Sequence, residues 1–160
     1  MRRCIPIGLA VLLALPTLSG QVTIDETKSQ AEKAQGGEKA KLCAELAEQL
    51  VDVAHQQFNK GNIQQAQATV QDILKYDAMA RDAAITSHGK MKQTEIVLRE
   101  TQRRLEALKR TLSVNDRPPL NEVEKKLEQF RQDILDEMFA PPKKQSNSHS
   151  DTVHRGIGFG

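Results

Sequence analysis

Residues 42–58 read LCAELAEQLVDVAHQQF, and the spacing of their apolar side chains decides the fold. Leu42, Leu46, Leu50, Val53, Ala54 and Phe58 recur at three- and four-residue steps, the period of one helix face rather than the alternation of a strand. The stripe predicts a helix from Glu38 to near Asn59. Lys60-Gly61-Asn62 closes it, because glycine tolerates the left-handed conformation that ends helices and Asn suits the start of the next one. Ile63, Ala66, Val70, Ile73 and Leu74 form a second stripe. Tyr76-Asp77 is expected to end it, with Asp77 placed to cap the next helix.

Beyond this pair of stripes, Ala78 to Leu112 contains no proline and a single glycine, Gly89. This predicts one long helix with at most a kink at Ser87-His88-Gly89. Met91, Leu98, Leu105 and Leu112 fall seven apart, with Thr94, Thr101 and Leu108 between them, the spacing of a heptad seam. Asn115-Asp116-Arg117-Pro118-Pro119 breaks the chain, and a last helix to Phe139 carries Leu120, Val123, Leu127, Phe130, Ile134 and Met138. The short Pro-containing loop implies antiparallel packing of these two helices, a long helical hairpin over residues 78–139. Glu95/Arg99, Glu100/Arg104 and Glu106/Arg110 are favourably oriented surface pairs, worth about 0.2–0.5 kcal/mol each. The expected fold class is all-α, one domain over residues 38–139.

The flanks read differently. Met1-Arg2-Arg3 followed by an uncharged run from Ile5 to Leu18, with small residues at Thr17-Leu18-Ser19-Gly20, has the layout of a secretory signal over residues 1–20. The run falls short of the ~18–20 apolar residues a spanning helix needs. Export to a periplasmic or extracellular space is therefore expected, with a retained membrane anchor as the alternative. A lipoprotein reading fails because Gln21 stands where the lipidated cysteine must be. Residues 21–37 read as a flexible polar lead, helical only in frayed form. Residues 140–160 have too little apolar content to offset ordering entropy and read as a disordered tail.

Composition agrees with a helical interaction protein. The chain has 160 residues, 38% hydrophobic and only 3% aromatic, too few aromatics for a sandwich or barrel core. Without Arg2 and Arg3 the charges balance at 21 basic against 21 acidic, which excludes a general nucleic-acid binder. Cys43 alone remains once Cys4 leaves with the signal, so no internal disulfide framework holds the fold. It lies among leucines and reads as a small buried hydrophobe, or as a thiol for a mixed disulfide with a partner.

Residues 47–80 resemble a tetratricopeptide repeat, a 34-residue helix-turn-helix unit. Leu50, Val53 and Ala54 stand at the first helix's bulky, aliphatic and small positions, and Phe58 precedes Gly61-Asn62 by the family's spacing. Ala66 is the small residue of the second helix, Val70 falls where an aromatic is usual, and Asp77 matches the acidic residue near the unit's end. Gln57, Ile73 and Ala78 depart from the pattern, and no second complete copy follows, since Glu95 occupies the next turn-glycine position. The resemblance implies a packed hairpin built on Leu50, Ala54, Phe58, Gly61, Ala66 and Val70. It also implies a peptide-holding face with Gln57, Asn59 and Asn62 as partner contacts. An unrelated helical hairpin with small crossing residues is the competing reading.

No pattern points to catalysis. A phosphate-cradling glycine loop, a Gly-x-Ser-x-Gly elbow and paired cysteines are all lacking. His55 and His88 read as helix-surface residues; His149 and His154 share the tail with Asp151 and lack preorganisation for a metal. Asp133, Asp136 and Glu137 read as an exposed acidic face. Arg99, Arg103, Arg104, Lys109 and Arg110 form a locally basic strip able to touch an acidic partner or anionic lipid, or simply to face solvent. No catalytic, cofactor or metal residue is assigned and no cofactor or small-molecule substrate is expected. The expected partner is another protein or a second copy. In the second case the seam of Met91, Leu98, Leu105, Leu108, Leu112, Leu120, Leu127, Phe130 and Ile134 pairs between chains. Membrane contact is expected only if the signal is retained.

Overall fold

The computed structural model describes residues 19–141, with side chains from Ile24 onward. The signal reading and the tail reading therefore lie outside the described residues, apart from the last two of the first and the first two of the second. Five α-helices and one short 3-10 turn make up the fold, and among the described residues there is no strand. They are α1 (Ser19–Lys33), α2 (Gly36–Asn59), α3 (Ile63–Ser87), α4 (Met91–Thr111) and α5 (Pro118–Phe139). The all-α class agrees with the sequence expectation; three boundaries do not.

The lead is the first difference. Residues expected to be flexible form α1, whose Ala31 is buried and whose Ile24 packs on the core. The helix is mostly polar because only one narrow side meets α2. The second difference is at Tyr76-Asp77. The helix does not stop there: α3 runs straight through, and Asp77, expected as a cap, is completely buried. The third is at residues 88–90, where the single long helix expected over 78–112 is cut. His88 and Lys90 both take left-handed backbone, at φ 49° and 55°. Ser87 Oγ donates to the Ala83 carbonyl at 2.6 Å and accepts from the Gly89 amide at 3.1 Å. This is a complete reversal and not a kink. A reason lies across the turn: Gly89 abuts Gly37, and a Cβ on Gly37 would come within 3.0 Å of the Gly89 carbonyl carbon. The two turns at this end of the molecule stack backbone to backbone.

Consecutive helices run antiparallel, so α2 and α4 point the same way and so do α3 and α5. Ion pairs record the register: Lys90 with Glu38 at 2.6 Å, and Arg104 with Glu48 and Asp52, tie α4 to α2. Arg81 with Asp133 at 2.7 Å ties α3 to α5. The fold is thus two helical hairpins stacked side by side, α2/α3 and α4/α5, with α1 laid chiefly against α2.

The two hairpins bury equivalent positions. Ala40, Ala44, Ala47, Val51 and Ala54 of α2 correspond to Thr94, Leu98, Thr101, Leu105 and Leu108 of α4, every pair 54 positions apart. The same offset relates Ala66, Thr69, Ile73, Tyr76 and Ala80 of α3 to Leu120, Val123, Leu127, Phe130 and Ile134 of α5, and all of these are buried. The first hairpin closes on alanine and the second on leucine. That is why α2 and α3 approach each other more intimately than α4 and α5. A stack of helical hairpins needs polar surface on its outer side. Here Arg131 supplies it, reaching Glu95 at 3.0 Å, Gln102 at 2.9 Å and Glu128 at 2.8 Å, while Lys109 pairs with Glu124.

Candidate functional site

Parallel stacking of α2 on α4 leaves an open cleft between the second halves of the two helices. Its volume is about 270 Å³, and Val51, Asp52, His55, Arg104, Ala107, Leu108 and Thr111 line it. The floor is apolar, since Val51 and Leu108 are core residues; Leu108 belongs to the predicted seam, while Val51 lies outside the predicted α2 stripe and is buried where Leu50 and Val53 are only partly so. The rim is polar. Arg104 crosses from α4 to α2, where it donates to the Glu48 carbonyl and side chain and to Asp52. Partial burial pulls the guanidinium's pKa down, but the facing carboxylates of Asp52 and Glu48 outweigh it and leave it raised. Arg104 is therefore a fixed cation already neutralised, and His55 and Thr111 are the exposed groups beside it.

A larger hollow, about 380 Å³, sits where the α1–α2 turn meets the end of α3, lined by Ala34, Gln35, Gly36, Lys39, Met79, Asp82, Ala83, Thr86 and Ser87. It is formed by helix ends parting rather than by a groove along them, and no buried charge points into it.

The predicted partner contacts do not converge. Gln57 is half-buried and occupied, its side-chain oxygen accepting from Thr69 Oγ1 at 2.7 Å, which pins α2 to α3. Asn59 and Asn62 are exposed around Gly61, and the Asn62 carbonyl accepts from the Ala66 amide, so Asn62 serves the turn. Only Asn59 continues the α2 face that carries Asp52 and His55. The predicted repeat-packing residues do converge: Ala54, Phe58, Ala66 and Val70 are buried, Leu50 packs beside them, and Gly61 sits at φ +77° in the turn. The predicted seam is also buried within one chain, with Leu98, Leu105, Leu108, Leu120, Leu127, Phe130 and Ile134 in the core and Met91 and Leu112 at its edge.

Sequence reasoning missed Asp77 as a buried group. Neither carboxylate oxygen has a hydrogen-bond partner among the described residues, and burial pushes its pKa well above the ordinary value. Cys43 stands across the α2–α3 interface, its thiol pushed up by burial first and by Asp77 as well, while Lys39 acts in the opposite sense. Both side chains are completely buried, so neither presents a group to solvent.

His88 Nδ1 lies 3.5 Å from Glu137 on the surface at the stacked-turn end. Among the described residues no group of three or more His, Cys, Asp or Glu lies placed to hold a metal ion, and no helix is long and apolar enough to cross a membrane. The arrangement offers an apolar slot with hydrogen-bonding edges, suited to holding a side chain or a short segment. Compared with protein families, curated proteins and solved structures, the chain matches none.

Proposed function

We propose that this chain is an exported, non-enzymatic helical scaffold that holds a segment of another protein along the α2–α4 face. The observation that carries the reading is the cleft itself: two parallel helices from successive hairpins, with the apolar floor of Val51 and Leu108 between the polar edges of Asp52, His55 and Thr111. Stacked helical hairpins are built for this use, because the face between equivalent helices recurs as a continuous groove. The tetratricopeptide-like character of the first hairpin belongs to this proposal. It draws support from the left-handed Gly61 turn and from the buried small residues Ala54 and Ala66, while the 54-position spacing exceeds the 34 of that repeat. The alternative, pairing of the helical seams between two copies, would have to use leucines already buried against one another in a single chain.

Ala107→Trp fills the cleft from an exposed position and so leaves the core intact. Photo-crosslinkers placed at His55 and at Gln71, on an exposed part of α3, are then compared in the exported protein. The expected result is a discrete crosslinked partner from His55 that is lost in Ala107→Trp and absent from Gln71. Equal labelling from both positions, or none from His55, counts against the scaffold.

A further inference from the structure

The outer face of α4 carries a charge pattern that the other helices lack. Along α4, six basic residues stand against three acidic ones, whereas α1, α2, α3 and α5 each hold more acidic than basic residues. Four of the six cations, Lys92, Arg99, Arg103 and Arg110, fall within about 40° of arc on an ideal helix, a single row about 27 Å long. Ile96 lies beside the row and is 45% exposed, one of few large apolar side chains so open to solvent. These cations are held by carboxylates of their own helix or by none, and among the described residues none is tied to another helix. Arg103 and Arg110 are 74% exposed and pair only with Glu100 and Glu106 on their own helix. Arg99 stands 3.5 Å from a Glu95 whose other oxygen is claimed by Arg131, and Lys92 has no ion-pair partner among the described residues. Such surface pairs contribute little, so exchanging them for an incoming carboxylate costs little.

We propose that this row docks an acidic, extended segment of a partner protein, its carboxylates spaced along Lys92, Arg99, Arg103 and Arg110 and one apolar side chain meeting Ile96. The inference rests on the scaffold reading and gives its partner a chemistry. A linear anion fits better than an anionic membrane. A plane laid on this side of the molecule would also approach α2, whose Glu38, Glu45, Glu48 and Asp52 outnumber Lys39 and Lys41. One Ile without aromatic neighbours also gives little to insert into lipid.

The test uses the full chain and a fluorescein-labelled, Glu-rich peptide with one Leu, about eight residues long so that it spans the row at about 3.3 Å per residue. Anisotropy is expected to report binding that weakens as salt rises from about 50 to about 300 mM. The triple variant Arg99→Gln, Arg103→Gln, Arg110→Gln is expected to lose about tenfold or more in affinity. A control triple elsewhere, Lys28→Gln, Lys33→Gln, Lys125→Gln, is expected to change little, and circular dichroism should show all three proteins equally helical. Phosphatidylglycerol-containing vesicles are expected not to compete with the peptide. No peptide binding by the unmodified chain, equal loss in both triples, or tighter binding to the vesicles overturns the proposal. If the peptide fails while the His55 crosslink persists in the arginine triple, the acidic partner falls and the scaffold reading stands. If both fail, both fall.

Discussion

Asp77→Asn should make this protein more stable at neutral pH. The carboxyl is completely buried at the α2–α3 interface, neither oxygen has a partner among the described residues, and its pKa stands well above 3.8 for want of solvation. Asparagine keeps the shape and remains neutral, so its unpaired amide costs about as much as the protonated acid does. What the substitution removes is the work of keeping a proton on, or of burying a charge. The sign is fixed by linkage. Between the ordinary and the raised value the folded state holds a proton that the unfolded state has released, so stability falls as pH rises. It falls by about 1.4 kcal/mol per pH unit until the raised value is reached, and then levels off. Below the unfolded value the two proteins should be nearly equal; the gap should open upward from about pH 4 and level off only once the raised value is passed. Urea unfolding followed by circular dichroism, in steps from about pH 4 to about pH 8, measures this directly. The difference between the two proteins isolates Asp77, because every other titrating group is shared, although the Cys43 thiol should titrate slightly lower in the variant. A gap that stays constant with pH, or a variant less stable at neutral pH, would rule out a buried carboxyl without a partner.

Other consequences arise from the turns and the polar outer side. His88→Gly should stabilise by about 0.5–1 kcal/mol, since a left-handed residue with a Cβ is strained and glycine is not, and the exposed imidazole makes only a 3.5 Å surface approach to Glu137; thermal unfolding checks it. Gly89→Ala should destabilise by about 1–3 kcal/mol and perturb the amides of both stacked turns in an NMR spectrum, because the new Cβ would stand 3.1 Å from the Gly37 Cα. Arg131→Ala should cost about 2–3 kcal/mol in urea unfolding, less than a lone buried charge would, because Arg99 remains near Glu95. The Cys43 thiol should react with a disulfide reagent only as fast as the protein unfolds, since it is wholly buried and its pKa is raised; rapid modification under native conditions would contradict its placement.

How much of this was legible depends on where the information lay. The helix period is local, and so the presence of α2, the Gly61 turn and the leucine seam were readable from spacing alone, whereas the buried α2 face is made largely by Ala40, Ala44, Ala47 and Val51 rather than by the larger Leu42, Leu50 and Val53. The reversal at residues 88–90 was not, because neither His88 nor Lys90 announces a left-handed residue. The demand for one comes from Gly37, some 50 positions away in sequence. The second hairpin escaped for a related reason. A search at the spacing of a known repeat expects a turn glycine at Glu95, but the helices are long and the turn equivalent to Gly61 falls near Asn115, 54 positions on. The equivalent positions also differ in kind, alanine against leucine or threonine, so only burial exposes their correspondence. The cleft was invisible in sequence because it belongs to two helices at once, and the contacts guessed from one hairpin landed on its turn. The lead became a helix because α2 offers its few apolar residues a surface that composition cannot reveal.

The stacking of two hairpins in parallel register underlies the cleft, the cationic row and the polar outer side together. Zero-length carbodiimide crosslinking of the monomer, read by mass spectrometry, probes that register without intermediaries, since it joins only amines and carboxylates already in contact. In an Arg104→Lys variant, which places an amine where the guanidinium stands, parallel stacking predicts a link from position 104 to Glu48 or Asp52 alongside the Lys90–Glu38 link, two points that set α4 parallel to α2. A Lys90–Glu38 link with position 104 joined to neither Glu48 nor Asp52 would mean the hairpins do not stack this way.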